Sequence, residues 1–462
     1  MKLIHKNQII LKENISIRDA IKLFNKNAKF TNFKGFGVLV NKNGKCLATV
    51  TDGDLRRSLE KNNLNTPVKK IANFNFRYVF DYYSTNRIIR EFESLTFNTE
   101  GNILSLPVLN KKKFYLGYIN YNDFLNLQNK KIKNKKKVEV VVPGRLSFSG
   151  GGLDFSEIIK QKKIYILSVP INKYIKINIM ARNDDKISVI QNNKKIFSLF
   201  ISKISKYNKK NFIFLIICLM KPSNGMIIKI TSDIENGSGL GGSSALTAGL
   251  ISAIHYMKYG EKIEANDLAN YSYLIERMEL GVVGGWQDFY GTIFSGYKFI
   301  SFNNKDVKVQ QLKIDNKIKR HLEKKMIFFK FGKKRSSSKI QKKRKNLYQI
   351  KSLVDKMNQN TKNIKNSLIK GNFNKLGKNI LNSWEIKKKI NPQTSSSLID
   401  KAIKVSLSLG AKGCKVLGAG KSGYLIVLSD TLNQKKIKKK LYKDFKYLPI
   451  KPVAQGMKIK GF

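Results

Sequence analysis

Cysteine, histidine and acidic residues are all scarce in this 462-residue chain, and each scarcity removes a class of function. The three cysteines, Cys46, Cys218 and Cys414, are far apart, odd in number and form no Cys-x-x-Cys pair, which excludes a disulfide framework or a structural zinc site and suits a reducing cytoplasm. His5, His255 and His321 are equally scattered, so neither a histidine metal centre nor a catalytic triad is expected. The longest apolar run, Phe212 to Met220, is too short to span a bilayer. The opening residues lead into a charged segment, so no signal peptide is expected, and the chain reads as soluble and cytoplasmic with no membrane partner.

Asp and Glu total 31 against 89 Lys and Arg, a formal charge of +58. An excess of that size ordinarily points to nucleic acid or an anionic membrane. Here the lysines are spread along the whole length among many Asn and Ile residues, with no aromatic-basic recognition motif. The charge is therefore read as the compositional bias of an AT-rich coding genome, without a nucleic-acid partner. A basic nucleic-acid binder stays as an alternative. Phosphorylated small molecules would still be drawn by the positive field.

The 42% hydrophobic content is ordinary for a globular protein, and the length allows two to four domains with real cores. The chain is organised around Met226 to Tyr256, which reads as strand, glycine-rich turn and helix. In the turn Gly237-Ser238-Gly239-Leu240-Gly241-Gly242-Ser243-Ser244, the glycines allow backbone N–H groups to face one point, and the helix starting near Ser243 aims its free amides and positive dipole end there. A phosphate belongs at that point. No lysine follows the glycines, so this is not a Walker A loop. The competing reading is a flexible surface turn.

The first 128 residues hold an internal repeat with an offset of 69: Leu39-Val40-Asn41-Lys42 answers to Val108-Leu109-Asn110-Lys111, Thr51 to Asn120 and Asp54 to Asp123. Each copy reads as strand, tight turn, strand, then a helix starting at the acidic residue. Two such units should pack as a pseudo-symmetric pair. Val50-Thr51-Asp52-Gly53-Asp54-Leu55-Arg56-Arg57 resembles the end of a CBS motif, so residues 1–128 are similar to a CBS domain pair. That resemblance implies an adenine nucleotide held by Thr51 and Asp54. The alternative is a structural or dimerising module, with Asp54 and Asp123 as helix N-caps in a homodimer. Residues 129–137, polar and rich in lysine, read as a solvated linker.

A strand is expected at Val138–Val142, followed by Pro143-Gly144-Arg145 and Phe148-Ser149-Gly150-Gly151-Gly152-Leu153-Asp154. A cation and an acid across three glycines suit a polyhydroxylated substrate meeting a phosphate, since a carboxylate accepts from vicinal hydroxyls and arginine neutralises charge. Ile263 to Leu280 carries a helical apolar stripe with Asn266 as cap, Glu276 lies in that helix, and Asp288 lies in the glycine turn after it. A Mg-nucleotide reaction needs an oxygen ligand for the metal and a second carboxylate facing the attacking hydroxyl. The competing readings are a solvated helix face for Glu276 and an ordinary turn residue for Asp288. Near the end, Leu417-Gly418-Ala419-Gly420-Lys421-Ser422-Gly423 is no Walker A, because a strand follows instead of a helix.

Three ordered motifs, Pro143–Arg145, Gly237–Ser244 and Leu417–Gly423, resemble those of the GHMP kinase superfamily. With Phe148–Asp154 and Gly284-Gly285-Trp286-Gln287-Asp288 they are most similar to the D-glycero-D-manno-heptose 7-phosphate kinases. Asn172 stands where those kinases usually have Asp, and Lys421 and Ser422 replace small residues. The resemblance implies an α+β fold in two lobes, a ribosomal S5 domain 2-like lobe over 138–310 and a ferredoxin-like lobe over 311–462, preceded by an α/β CBS pair. It implies an ATP-dependent sugar kinase that makes the 1,7-bisphosphate for nucleotide-activated heptose and surface polysaccharide. It also implies roles: Asp288 as general base, Arg145 as the cation on the transferred phosphoryl group, Gly237, Ser238, Gly239, Leu240, Gly241, Gly242, Ser243 and Ser244 on ATP, and Ser243 with Glu276 on Mg2+, Ser244 being the substitute for Ser243. Asp154 and Gly152 would hold the sugar and Arg335 its distal phosphate. The alternatives are a galactokinase- or fucokinase-type enzyme, or an adenylate-sensing regulator with a dead kinase lobe.

Overall fold

The computed structural model describes residues 4, 9–28, 36–96, 105–121, 132–206, 211–235, 237–332 and 347–461. The chain forms two units, Met1–Gln128 and Asn129–Phe462.

In the first unit the repeat is visible at the level of individual hydrogen bonds. Strands Phe36–Val40 and Cys46–Thr51 recur as Ser105–Leu109 and Tyr115–Asn120, 69 positions on (36 to 105, 46 to 115). Phe36 faces Thr51 and Ser105 faces Asn120, and the bulge between Leu39 and Val40 returns between Val108 and Leu109. The turns match too: Asn41 Oδ1 accepts from the amides of Asn43 and Lys45, and Asn110 Oδ1 from those of Lys112 and Phe114. A bridge joins Lys45 to Phe114, themselves equivalent positions, so the pseudo-twofold passes between them.

Thr51 caps the helix Asp52–Ser58, which begins two residues before the expected Asp54. The Thr51 hydroxyl accepts from the Asp54 amide at 3.1 Å, and Asp54 Oδ2 accepts from the Thr51 amide at 2.8 Å. Asp54 is therefore the third residue of a capping box, while Thr51 is the cap. Asp123 lies outside the described residues.

The second unit is built on two sheets. The first runs Lys194–Phe200, Lys186–Gln191, Met226–Ser232, Ile164–Ala181, Lys298–Phe302, Val307–Gln311, with Lys137–Ser149 paired along the long strand Ile164–Ala181. Lys137–Ser149 does not stop at Val142 as expected but runs on through Pro143-Gly144-Arg145, its pairing shifting at Pro143/Gly144. That bulge is where a proline can sit in a sheet. Before it, Val138, Val140 and Val142 alternate inward; beyond it every residue is buried, because helices Gly242–Tyr259 and Leu347–Ile369 both pack on this strand.

The second sheet has the order Gly413–Val416, Gly423–Leu428, Met326–Phe331, Phe445–Leu448, all antiparallel. Its core gathers Phe329, Phe331, Trp384, Ile403, Leu425, Val427 and Ile437. The last strand, Lys458–Gly461, returns to pair with the start of Lys137–Ser149 in the first sheet, so the chain's end belongs to the first lobe.

The lysine-rich segment is not wholly solvated. The amides of Lys133 and Lys135 donate to the carbonyls of Lys258 and Met257, which pins it to the C-terminal end of helix Gly242–Tyr259, where such carbonyls lack helical partners. The apolar run Phe212–Met220 is a nine-residue helix capped by Asn211. Among the described residues no helix is long and apolar enough to cross a membrane.

Candidate active site

A cavity of about 140 Å³ opens between the two sheets of the second unit, and all three ordered motifs line it. Its floor is the glycine turn. Gly237, Gly239 and Gly241 take φ of 75°, 76° and 79°, a left-handed backbone that side chains rarely adopt. The helix Gly242–Tyr259 then starts without a side-chain cap, so its first amides remain free for an anion. Ser238 Oγ, on the cavity wall, is buried without a hydrogen-bond partner. A phosphate oxygen would satisfy it.

Arg145 joins the first two motifs. Its Nε and Nη2 donate to Asp288 Oδ1 at 2.9 and 2.7 Å, and its Nη1 donates to the Gly239 carbonyl at 2.6 Å. The arginine side chain is 3% exposed and the aspartate 25%, so the pair is sealed on one side and open to the cavity on the other. Asp288 was expected in a turn but is the second residue of a short helix, Gln287–Ile293, where negative charge is favoured. Trp286 fixes the start of that helix. It is fully buried, stacks on Tyr273 at 3.6 Å and donates from Nε1 to Ser156 Oγ.

The two glycines before Trp286 are required by close approach. A Cβ on Gly284 would lie 2.6 Å from the Arg277 guanidinium carbon, and one on Gly285 would lie 2.1 Å from Asp154 Oδ2. Asp154 accepts from the Gln287 amide at 2.7 Å and from the Gly152 amide at 3.1 Å, so it braces the glycine turn after Phe148 against the helix of Asp288. Burial raises its pKa, the charge of Asp288 adds to the rise, and the two amides oppose it. Gln287 Oε1 lines the same wall, buried and without a hydrogen-bond partner.

Glu276 lies in a six-residue π-helical turn, Leu274–Glu279, where a continuous α-helix was expected. Its preceding helix, Ala265–Tyr273, is preceded by Glu264, so Asn266 is not the cap. The π-turn places Glu276 fully buried against the helix Gly242–Tyr259, where it accepts from Ser243 Oγ, from Thr247 Oγ1 at 3.3 Å and from Arg277 Nη1 at 3.0 Å. Two oxygen groups touching at the edge of a phosphate loop are the donor set a magnesium ion uses when substrate phosphates supply the rest. Among the described residues no cluster of three or more His, Cys, Asp or Glu could hold a metal by itself.

Not every expected residue reaches the cavity. Ser244, Leu240 and Glu276 are buried off its wall, Glu276 meeting it only through Ser243 and Arg277, though the Leu240 carbonyl accepts from the Arg145 amide at 2.8 Å. Asn172 pairs with the backbone of Lys451, and Lys421 donates to Gln393. Arg335, with Lys333 and Lys334, lies outside the described residues. Conversely, Arg277, Gln287 and Lys387 line the cavity without having been singled out from the sequence.

The model for the GHMP kinases N terminal domain matches residues 206–296, which contain the glycine turn, Glu276 and Asp288, and the CBS domain model matches residues 2–61. A D-glycero-alpha-D-manno-heptose 7-phosphate kinase of Campylobacter jejuni is 30% identical over 327 residues, covering 68% of this chain and 95% of that protein. The chain belongs to the GHMP kinase family. This GHMP kinase is also 25% identical over 230 residues to the bifunctional fucokinase/GDP-fucose pyrophosphorylase of Arabidopsis thaliana, of which it covers 21%. A solved D-glycero-D-manno-heptose 1-phosphate kinase of Bacteroides thetaiotaomicron superposes with a TM-score of 0.57 at 22% identity, over 70% of this chain and 99% of that one, and shares the fold.

The helix bearing Asp288 rests on a buried lysine amine. Lys298, fully buried, donates from Nζ to the carbonyls of Gly291, at 2.8 Å, and Phe294, at the end of that helix. Burial holds its pKa well below the usual lysine value of 10.5. Between the folded pKa and 10.5 the unfolded chain binds more protons, so stability rises with pH there. Lys298→Met should flatten that rise by up to about 1.4 kcal/mol per pH unit. Chemical denaturation at pH 8, 9 and 10, just below the usual lysine value, checks it, and parallel curves for wild type and variant would refute it.

Proposed function

We propose that this ATP-dependent enzyme is a sugar kinase that transfers the γ-phosphoryl group of ATP to the anomeric hydroxyl of D-glycero-D-manno-heptose 7-phosphate, giving the 1,7-bisphosphate. The reading is carried by one arrangement: Asp288, anchored by Arg145, lies between the glycine turn that suits phosphates and the Asp154 turn that suits hydroxyls. The substrate choice is supported by the Campylobacter relative, which this chain matches over 95% of its length. Three free cysteines and a dependence on ATP suit the cytoplasm.

In this reading Ser238 and the amides of Gly237–Ser243 bind the ATP phosphates. Ser243 and Glu276 would hold Mg2+, which supplies neutralising charge on the phosphate oxygens. Asp154 and Gln287 orient the sugar hydroxyls. Asp288 accepts the proton of the attacking hydroxyl, while Arg145 keeps that carboxylate aimed. Phosphoryl transfer has a loose transition state, so alignment counts for more than base strength.

Phosphorus NMR of a reaction with heptose 7-phosphate should show a second sugar phosphate at the anomeric position. Asp288→Asn should lower kcat by about 10²-fold or more with ATP affinity nearly unchanged, as expected for a positioned proton acceptor. If free fucose or galactose outcompetes the heptose phosphate, the fucokinase or galactokinase reading replaces this one. Turnover of a heptose 1-phosphate in its place would move the reaction to the other end of the sugar.

For the first unit we propose an adenine nucleotide at Thr51 and Asp54, supported by the CBS match over residues 2–61. Both side chains are engaged in the helix cap, and Arg57 Nη2 donates to Asp54 Oδ1 at 2.6 Å, so a ligand would meet an ordered site. Calorimetric titration of AMP into the whole chain should show binding that Asp54→Ala abolishes. If AMP does not bind, the module is better explained as a dimerisation element. Regulation additionally requires reciprocity: AMP must shift sugar affinity by the same factor that sugar shifts AMP affinity.

A further inference from the structure

We propose that Lys387 is a catalytic residue, the cation that receives the transferring phosphoryl group. The inference rests on the reading of the cavity as a phosphoryl-transfer site and assigns a residue to a task that Arg145 is poorly placed to perform. Each nitrogen of the Arg145 guanidinium already has a partner, Asp288 Oδ1 for Nε and Nη2 and the Gly239 carbonyl for Nη1, and the side chain is 3% exposed. A planar fork held on both edges cannot swing toward a moving group without releasing the proton acceptor it aligns. The two terminal nitrogens of Arg277 are also committed, to Glu276 and to the carbonyls of Val282 and Gly285.

Lys387 projects into the cavity from the helix Phe373–Ile390, half-buried, and its Nζ donates to the Gly418 carbonyl of the third motif. Gly418 is stacked on the phosphate loop so closely that a Cβ there would lie 2.3 Å from the Gly239 Cα. The lysine stem passes the Asp154 turn, its Cε 4.0 Å from where a Gly152 Cβ would be. The amine therefore stands where the phosphate loop, the third motif and the sugar-side turn converge, along the path from donor to acceptor. Its neighbours in the run of three lysines are placed differently: Lys388 pairs with Glu385 and Asp400, and Lys389 is exposed.

The chemistry balances without further reactants. The anomeric oxygen forms its bond to the γ-phosphorus as the bond from that phosphorus to the β,γ-bridging oxygen breaks; the hydroxyl proton passes to Asp288, and ADP leaves with the bond's electrons. Lys387 takes no part in that proton transfer and exchanges a neutral carbonyl for the equatorial phosphoryl oxygens, on which charge is spread in the transition state. A charge-assisted hydrogen bond to phosphate is stronger than one to a backbone carbonyl, and a flexible four-carbon stem can follow the group as it moves.

The test is steady-state and single-turnover kinetics of Lys387→Met and Lys387→Arg, with ATP affinity measured separately. Lys387→Met should lose about 10²- to 10³-fold in kcat, the scale of a lost transition-state charge contact, while ATP affinity and the sugar KM stay within about threefold. Lys387→Arg should keep an intermediate rate. Should the Met variant fail to fold, Lys387→Cys alkylated with 2-bromoethylamine, which displaces bromide to give a lysine isostere with sulfur in place of Cγ, should recover at least about a tenth of the rate. Wild type treated alike controls for Cys218, which is partly exposed. A kcat unchanged in Lys387→Met, or a loss confined to the KM of the phosphorylated sugar, overturns the proposal, as does a Cys variant that alkylation does not rescue. Wild-type enzyme inactive on every sugar overturns the proposed function as well, which separates the two failures.

Discussion

Three distant stretches of chain meet at one guanidinium. Arg145 belongs to the strand Lys137–Ser149, Gly239 to the glycine turn and Asp288 to the helix Gln287–Ile293, and the arginine holds the other two. Burying an ion pair is costly unless each member is fully partnered, and the two-sided engagement of this arginine meets that condition. The demand reaches beyond the pair itself. A Cβ on Gly241 would lie 3.1 Å from Arg145 Cγ and one on Gly291 2.9 Å from it, so one glycine of the turn and one of the helix of Asp288 leave room for one side chain.

The third motif is drawn in by the same crowding. Gly418 packs on Gly239, and a Cβ on Gly423 would lie 2.5 Å from the Ser238 carbonyl, so the second sheet closes over the glycine turn through glycine contacts. Lys415, buried beside this junction, donates from Nζ to the carbonyls of Ser147 and Phe148 at 3.0 and 3.1 Å, tying the second sheet to the strand of Arg145. The cavity is thus a seam between two sheets whose closest approaches are made by backbone. Small shifts there would move the glycine turn, the Asp154 turn and Asp288 together.

Much of this was legible in the sequence because its causes are local. The glycine turn and its helix follow from φ preferences and helix-end chemistry within a few residues, and the repeat follows from equivalent turns at Asn41 and Asn110, 69 positions apart. What depended on packing was not. Lys387 is one of three consecutive lysines in a lysine-rich chain, and only the seating of its helix against the strand Gly413–Val416 turns that one into the cavity. The π-turn of Glu276 replaces an expected α-helix because the carboxylate must reach Ser243 and Arg277, a tertiary requirement that the apolar periodicity does not carry. Asp288 looked like a turn residue because the glycines before it suggest one, yet the buried Trp286 starts a helix there.

If Arg145 acts by holding Asp288 in line, the two residues form one device, and removing either should disable it. A double-mutant cycle on kcat, with Arg145→Met, Asp288→Asn and the combined variant, tests that directly, because residues acting as a unit are strongly non-additive. The account predicts a combined variant within about threefold of the worse single one. Losses that multiply would contradict it and would return Arg145 to an independent role on the phosphoryl group.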